Sequence, residues 1–381
     1  MTPGARASAA IAILDRILAG DPAEKALTNW GRASRYAGSG DRAAVRDLVF
    51  EALRQRRSAA ALGGALTGRG LILGLMRAAG KEALFSGEGH APPPPAPYEV
   101  GRPPDPDELL DLPDWLLPDL RASLGPDLAT IAEALRHRAP VFLRVNLGKA
   151  DLPVARAALA AEGIVARPQP LSPTALEVVE QARKVQASAA YREGLVELQD
   201  LSSQAVVDAL PLGDGMKVLD HCAGGGGKTL AMAARARLRL FAHDADPRRM
   251  ADLPERAGRA GAAVTLTDRP EAQAPYDLVL VDAPCSGSGS WRRDPEGKWS
   301  LTPEVLDRTT ETQREILDRV APMVGRAGVL AYATCSLLRR ENADQSRAFL
   351  DRHPEFVLER ELTLTPIQGG DGFFLAIFRR R

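Results

Sequence analysis

Apolar positions recur along this chain with two different periods, and the places where one gives way to the other predict its elements. Over residues 5–85 the spacing is helical throughout. Ala10, Ile11, Ile13, Leu14, Ile17 and Leu18 share one helix face, and Val45, Leu48, Val49, Ala52 and Leu53 line another that runs over residues 42–57. Gly20, Asp21 and Pro22 stop the first helix, Asp21 is placed to cap the next, and Asp41 is the expected N-cap of the one after it. Arg54, Arg56 and Arg57 read as a solvated helix end. Residues 86–108, SGEGHAPPPPAPYEVGRPPDPDE, lose all periodicity and hold too much proline and glycine to build a core, so they read as an extended, semi-stiff linker.

Order returns at residue 109. LPDWL opens a helix, 141–145 is a strand, 154–162 a helix closed by Gly163, and apolar runs at 176–179 and 195–198 complete a small α/β region. Asp200 or Ser202 caps the helix that follows. From 216 to the end the pattern becomes regular. Strands are predicted at 218–220, 238–243, 263–266, 278–281, 329–332, 356–358 and 373–378, with helices at 229–236, 247–259, 303–324 and 342–352. Strands alternating with helices make a mostly parallel sheet covered on both faces.

Composition narrows the class. With 381 residues, two or three cores are expected. No apolar run approaches the roughly 20 residues that span a bilayer, and no secretion signal opens the chain, so a cytoplasmic protein without a membrane partner is expected. Three cysteines suit free thiols in a reducing compartment, and with no CxxC pair or histidine cluster no metal is expected. The net charge is zero, which argues mildly against a nucleic-acid partner. Residues 1–70, however, carry 11 Lys/Arg against 6 Asp/Glu, so a basic surface survives inside the neutral total.

Two stretches carry candidate chemistry. In VLDHCAGGGGKT, residues 218–229, a strand runs into a glycine-rich turn and a helix start, where backbone can approach a ligand closely and free N–H groups face a negative group. Asp244 ends the next strand, 20 residues after Gly224, at the spacing that serves ribose hydroxyls, and Asp268 ends the third, in reach of an adenine amino group. An adenosine-containing ligand follows, either NAD or S-adenosylmethionine. In VLVDAPCSGSGSWRRDPEGKW, residues 279–299, a strand ends on Asp282 with Cys285 just beyond, and Cys335 follows another strand in YATCS. Hydride transfer gives no reason for paired strand-end thiols. Methylation of a cytosine at carbon 5 does, because a thiolate added at carbon 6 makes carbon 5 nucleophilic while an acid holds the base edge. Arg292, Arg293 and Lys298 beside the thiol, and Arg144 in the earlier strand, are candidate RNA phosphate contacts, although each also reads as an ordinary surface charge.

PCSGSGSWRRDPEGKW and YATCSLLRRENADQ together closely resemble the RsmB/Fmu/Sun family of RNA 5-methylcytosine methyltransferases. CAGGGGKT is similar to that family's cofactor loop, with Gly224 and Gly225 where Ala and Pro are usual, and DGFFLAIFRR is similar to its last strand. The resemblance implies a Rossmann-like class I methyltransferase domain with a seven-stranded sheet over 201–381. It implies an all-helical NusB-like RNA-binding domain over 1–85 and a small α/β RNA-binding region over 109–200. It implies Cys335 as nucleophile, Cys285 as the group assisting product release, and Asp282 facing both base and cofactor. Cys222, Ala223, Gly224, Gly225, Gly226, Gly227, Lys228, Asp244, Asp268 and Asp282 would line S-adenosylmethionine. The expected substrate is small-subunit rRNA, with tRNA or a non-catalytic RNA-binding role as the alternatives, and the expected state is a monomer. The Cys222 thiol and His221 are expected simply to pack, with contact to the cofactor as the alternative for His221.

Overall fold

The computed structural model describes all 381 residues. Its contacts divide the chain into two units, Met1–Arg138 with Trp291–Ser300, and Ala139–Ser290 with Leu301–Arg381.

The first unit is helical. Pro3–Leu18, Ala23–Ala33, Ser39–Arg54, Arg56–Gly63 and Gly68–Ala78 surround a core built from the predicted stripes, including Ala10, Ile13, Leu14, Val45, Val49 and Leu53 together with Leu71, Ile72 and Leu73. Two predicted caps do other work. The helix after Gly20 is capped by Pro22, and Asp21 pairs with Arg16 instead. Gly38 caps the third helix, while Asp41, in its first turn, binds the N-terminal ammonium and Arg6. That helix breaks at Gln55, so the arginines beyond it are not a solvated end. Arg57 donates to the carbonyls of Asp107 and Leu112 and pairs with Asp114, and Arg54 donates to the carbonyl of Arg292. The proline-rich stretch runs without helix or strand from 86 to 107 and is tied to this unit through Glu99, which binds Arg69 and whose carbonyl accepts from Arg77. No single helix of the chain is long and apolar enough to cross a membrane.

The second unit holds two sheets. The first joins β1 (Val141–Val145), β2 (Val165–Pro168), β3 (Ala175–Glu180) and β4 (Val196–Leu198) in the antiparallel order β2-β3-β1-β4. The second has seven strands. They are β5 (Lys217–Asp220), β6 (Arg239–Ala242), β7 (Thr265–Leu266), β8 (Tyr276–Asp282), β9 (Val324–Thr334), β10 (Phe356–Leu364) and β11 (Phe373–Arg380), in the order β10-β11-β9-β8-β5-β6-β7. The strands β7, β6, β5, β8 and β9 run parallel, and β11 and β10 return antiparallel. Successive residues feed opposite faces, as the unbroken apolar runs demand. Leu278, Leu280, Ala331 and Leu375 enter one core, and Val279, Val281, Tyr332 and Phe374 the other. The carboxyl edge of the parallel strands holds Asp220 and Asp282 and leads into Cys335, and the strand order reverses there between β5 and β8, where open α/β sheets keep their ligands.

Candidate active site

β5 delivers Asp220 into the foot of the glycine turn. The turn is tight enough that Gly224 and Gly226 take positive φ, +50° and +81°, and a Cβ on Gly226 would lie 2.2 Å from the Leu253 side chain. Only glycine fits at 226 without moving that leucine. The turn is pinned from both sides. Ala223 donates to the carbonyl of His243, and Gly224 donates to the buried carboxylate of Asp244 at 2.9 Å. Asp244 thus sits at the end of β6 where the spacing placed it, and it also binds Arg249 at 3.2 Å. Asp268, two residues past β7, is exposed.

Asp220 itself was missed by the sequence reading, although an acid ending the strand before a glycine turn is a visible signal. It is buried, accepts from the Thr229 hydroxyl at 2.6 Å through Oδ2, and finds no protein partner for Oδ1. Burial pushes its carboxyl up to about 7, against the help of Thr229. An unsatisfied buried oxygen beneath a turn that admits no side chain is the signature of a polar ligand lying on that turn.

β8 and β9 bring the two thiols together. Their neighbouring loops are stitched by Ala283 donating to the Ala333 carbonyl and Gly289 donating to the Cys335 carbonyl, both at 2.9 Å. The sulfurs of Cys285 and Cys335, 50 residues apart in sequence, lie 3.3 Å apart. They are unequal. The hydrogen bond from Cys285 holds Cys335 below the ordinary thiol value against its burial, with Lys228 and Ser290 adding to the effect. The same bond, with burial, drives Cys285 well up. The ammonium of Lys228 binds Asp282 at 2.7 Å and lies over the Phe373 ring. One cation therefore orients the acid and favours the Cys335 thiolate.

Behind the thiols lies a carboxylate with no solvent exposure, Glu341, which no sequence pattern singled out. It accepts from the Ser286 N–H at 2.8 Å, the Gln313 amide at 3.0 Å, and the hydroxyls of Ser286 and Ser336.

Burial, and then the surrounding carboxylates, raise the Cys222 thiol. The His221 ring packs tilted against that of His243, centroids 4.8 Å apart, its buried Nδ1 finds no protein partner, and burial lowers it to about 4, so it stays neutral.

Three candidate phosphate contacts are corrected. The buried guanidinium of Arg144 donates to the Gln199 side chain and to the Gly227 carbonyl at 2.8 Å, so it braces the glycine turn from within. Lys298 is 1 % exposed, and its ammonium donates to the carbonyls of Arg54 and Asp111 at 2.9 and 2.6 Å inside the helical unit. Arg292 is also buried. A charge read as a surface one is buried in each case, and of the four candidates only Arg293 is exposed.

Fold and turn define the class, a Rossmann-like methyltransferase fold. The description "16S rRNA methyltransferase RsmB/F" matches residues 207–379, and an RsmF/B-type ferredoxin-like domain matches 112–186. The chain is 33% identical over 285 residues to ribosomal RNA small subunit methyltransferase B of Photorhabdus laumondii, covering 71% of this chain and 66% of that one. It is 36% identical over 282 residues to the protein of the same name from Citrobacter koseri, covering 69% and 65%. The chain thus spans about two thirds of the length of these curated relatives. In fold it is similar to the solved structure of PH0851, with a TM-score of 0.77 at 22% identity over 100% of this chain and 99% of that one. It is also similar to a methyltransferase homologue from Pyrococcus horikoshii, with a TM-score of 0.63 at 23% identity over 71% and 96%. The chain belongs to the RsmB/F methyltransferase family.

Proposed function

We propose that this chain is an S-adenosylmethionine-dependent rRNA methyltransferase acting on the small-subunit RNA, and that it methylates carbon 5 of a cytosine through a covalent Cys335 adduct. The observation that carries the chemistry is the 3.3 Å thiol pair with the Lys228–Asp282 ion pair on adjoining strand ends. The rRNA substrate rests on family membership and on the named relatives.

Bound S-adenosylmethionine supplies an electrophilic methyl group. Gly224 to Gly227 offer it close backbone, Asp220 an unused oxygen, and Asp244 and Asp268 acceptors for ribose and adenine, while Lys228 and Asp282 close the reacting end. The Cys335 thiolate adds to cytosine carbon 6, and carbon 5 takes the methyl group. Carbon 5 then gives its proton to a solvent base, and the electron pair of that bond re-forms the 5,6 double bond as the carbon–sulfur bond breaks to return the Cys335 thiolate, with Cys285 assisting release. Asp282 accepts from the exocyclic amino group at the base's amide-like edge, and the Lys228 ammonium paired with it offsets the negative charge that develops there. The target base must leave its stack to reach both thiols. In this reading residues 1–85 and 109–200 bind RNA, joined by the 86–108 linker, and Arg293 contacts phosphate.

The test is incubation of the chain with S-adenosylmethionine and small-subunit rRNA or tRNA, followed by bisulfite mapping. A single protected cytosine in the rRNA is expected. Protection only in tRNA, or methyl incorporation without a protected cytosine, would overturn the reading.

A further inference from the structure

Two reacting sulfurs at contact distance pose a problem that the reaction alone does not solve, because nothing intrinsic to two cysteines decides which one carries the charge. We propose that Glu341 is the positioning residue that locks the Cys285 and Cys335 loops together through Ser286 and Ser336, and that its negative charge selects Cys335 as the reacting sulfur. This rests on reading the two thiols as the reacting pair.

The geometry argues for both halves. Glu341 reaches the residue directly after each cysteine. It takes the N–H and hydroxyl of Ser286 on one side and the hydroxyl of Ser336 on the other. The two serines also contact each other at 3.3 Å, and Ser288 joins them by contacting Ser336 at 3.1 Å and accepting from the Leu337 N–H at 2.8 Å. The segment that carries Glu341 is itself fixed at both ends. Its carbonyl accepts from the buried Tyr332 hydroxyl at 2.7 Å, and its neighbour Asn342 accepts from Thr334 and donates to the Ser336 carbonyl. A carboxylate so enclosed is costly unless every lone pair is used, and four donors use them here. The Ser286 and Gln313 N–H groups can only donate, which fixes an acceptor at this position.

Charge placement supplies the selection. Glu341 adds to the forces that raise Cys285, after the bond to Cys335 and burial, whereas Lys228 pulls Cys335 the other way. On the Cys285 side stands a fixed anion, Glu341, while on the Cys335 side the hydrogen bond from Cys285 and the Lys228 cation favour the thiolate against burial and the Asp282 carboxylate. Proton and charge are sorted before substrate arrives, with Cys285 holding the proton and Cys335 free to attack.

The test reads the thiols directly, without RNA. The full chain is treated with iodoacetamide across about pH 6 to 9, and modification of each cysteine is followed by peptide mass spectrometry. Wild type is expected to react first at Cys335. Glu341→Gln keeps the shape and removes the charge, and it is expected to move the ratio about tenfold toward Cys285, the effect of roughly one unit in thiol acidity. Glu341→Asp keeps the charge and shortens the reach, so it is expected to hold the ratio while lowering methylation kcat about tenfold with little change in the KM for S-adenosylmethionine. An unchanged ratio in a folded Glu341→Gln chain would overturn the assignment. If that chain does not fold, Glu341→Asp decides, and a ratio lost with the charge kept would overturn it. A wild type that reacts first at Cys335 yet methylates no cytosine would sink the proposed function and leave Glu341's role intact.

Discussion

Two lysines of this chain are almost equally buried and have opposite fates. Lys228, in the glycine turn, meets Asp282, and although burial opposes its charge, that carboxylate outweighs it and holds the ammonium above its ordinary value. Lys298, in the helical unit, meets two carbonyl oxygens, and burial drives it down to about 7. Asp111 opposes that fall, but Arg54, Arg136 and Arg56 push the same way. Asp111 is moreover shared. It accepts from the Arg57 and Ser58 N–H groups, the Ser58 hydroxyl and Arg136, so little of its charge is left for Lys298. The lesson is that burial does not decide a lysine's role; the partner does. One pairs with the acid beside the two thiols and favours the Cys335 thiolate, the other is a cross-link that ends two orphan carbonyls.

Lys228→Met attacks the first half of that contrast and carries the largest expected effect. It frees Asp282 and withdraws the cation from Cys335, so kcat should fall about 100-fold. The acidic limb of the pH–rate profile should also move to higher pH, because a thiolate without its cation forms later. An unshifted limb would mean Lys228 serves only the cofactor.

Lys298→Met attacks the second half. Its cost should appear in stability, about 2 kcal/mol from two buried carbonyls left unpaired, with S-adenosylmethionine affinity unchanged. The pH dependence has a definite sign. A lysine at about 7 when folded and near 10.4 when unfolded leaves the unfolded chain holding the extra proton between those values. Its contribution therefore makes wild type more stable as pH rises from about 7 to 10, and the methionine variant lacks that rise. Thermal unfolding of both chains over this range would reveal it, and equal slopes would mean the ammonium titrates as in water.

Gly226→Ala asks whether the turn that positions Lys228 depends on its shape. A methyl group there meets Leu253 at a φ that disfavours side chains, so stability should fall by about 1–3 kcal/mol and cofactor affinity with it. Calorimetry checks both. Arg293→Ala, on the exposed residue of the segment that holds Lys298, should give the smallest change. RNA binding should weaken modestly, with the slope of affinity against salt reduced by about one contact.

The same contrast explains what was legible in the sequence. Asp282, Cys285, Cys335 and the glycine turn could be read because each ends a strand of recognisable period, and topology alone carries strand ends to one edge. Lys298 and Arg292 were misread because their surroundings are remote. The carbonyl of Arg54 lies 244 residues from Lys298, and no local pattern in GKW announces it. Arg144 misled in the same way, since its partners Gln199 and Gly227 lie 55 and 83 residues on. Glu341 was invisible because its donors come from the Cys285 loop, the helix carrying Gln313 and the Cys335 loop, 55, 28 and 5 residues away. Asp200 caps its helix as expected, accepting from the Ser202 N–H at 2.8 Å, but two other caps failed, where Asp21 and Asp41 found arginine or ammonium partners stronger than the helix N–H groups they were expected to serve.

The central claim is that the two thiols divide one reaction between attack and release. It is tested most directly by incubating the Cys285→Ala and Cys335→Ala chains with S-adenosylmethionine and small-subunit rRNA, digesting the RNA, and mapping residual nucleotide mass on peptides. The account predicts a methylated nucleotide adduct on Cys335 in the Cys285→Ala chain and none in the Cys335→Ala chain. An adduct on Cys285 in the Cys335→Ala chain, with none on Cys335 in the other, would contradict it.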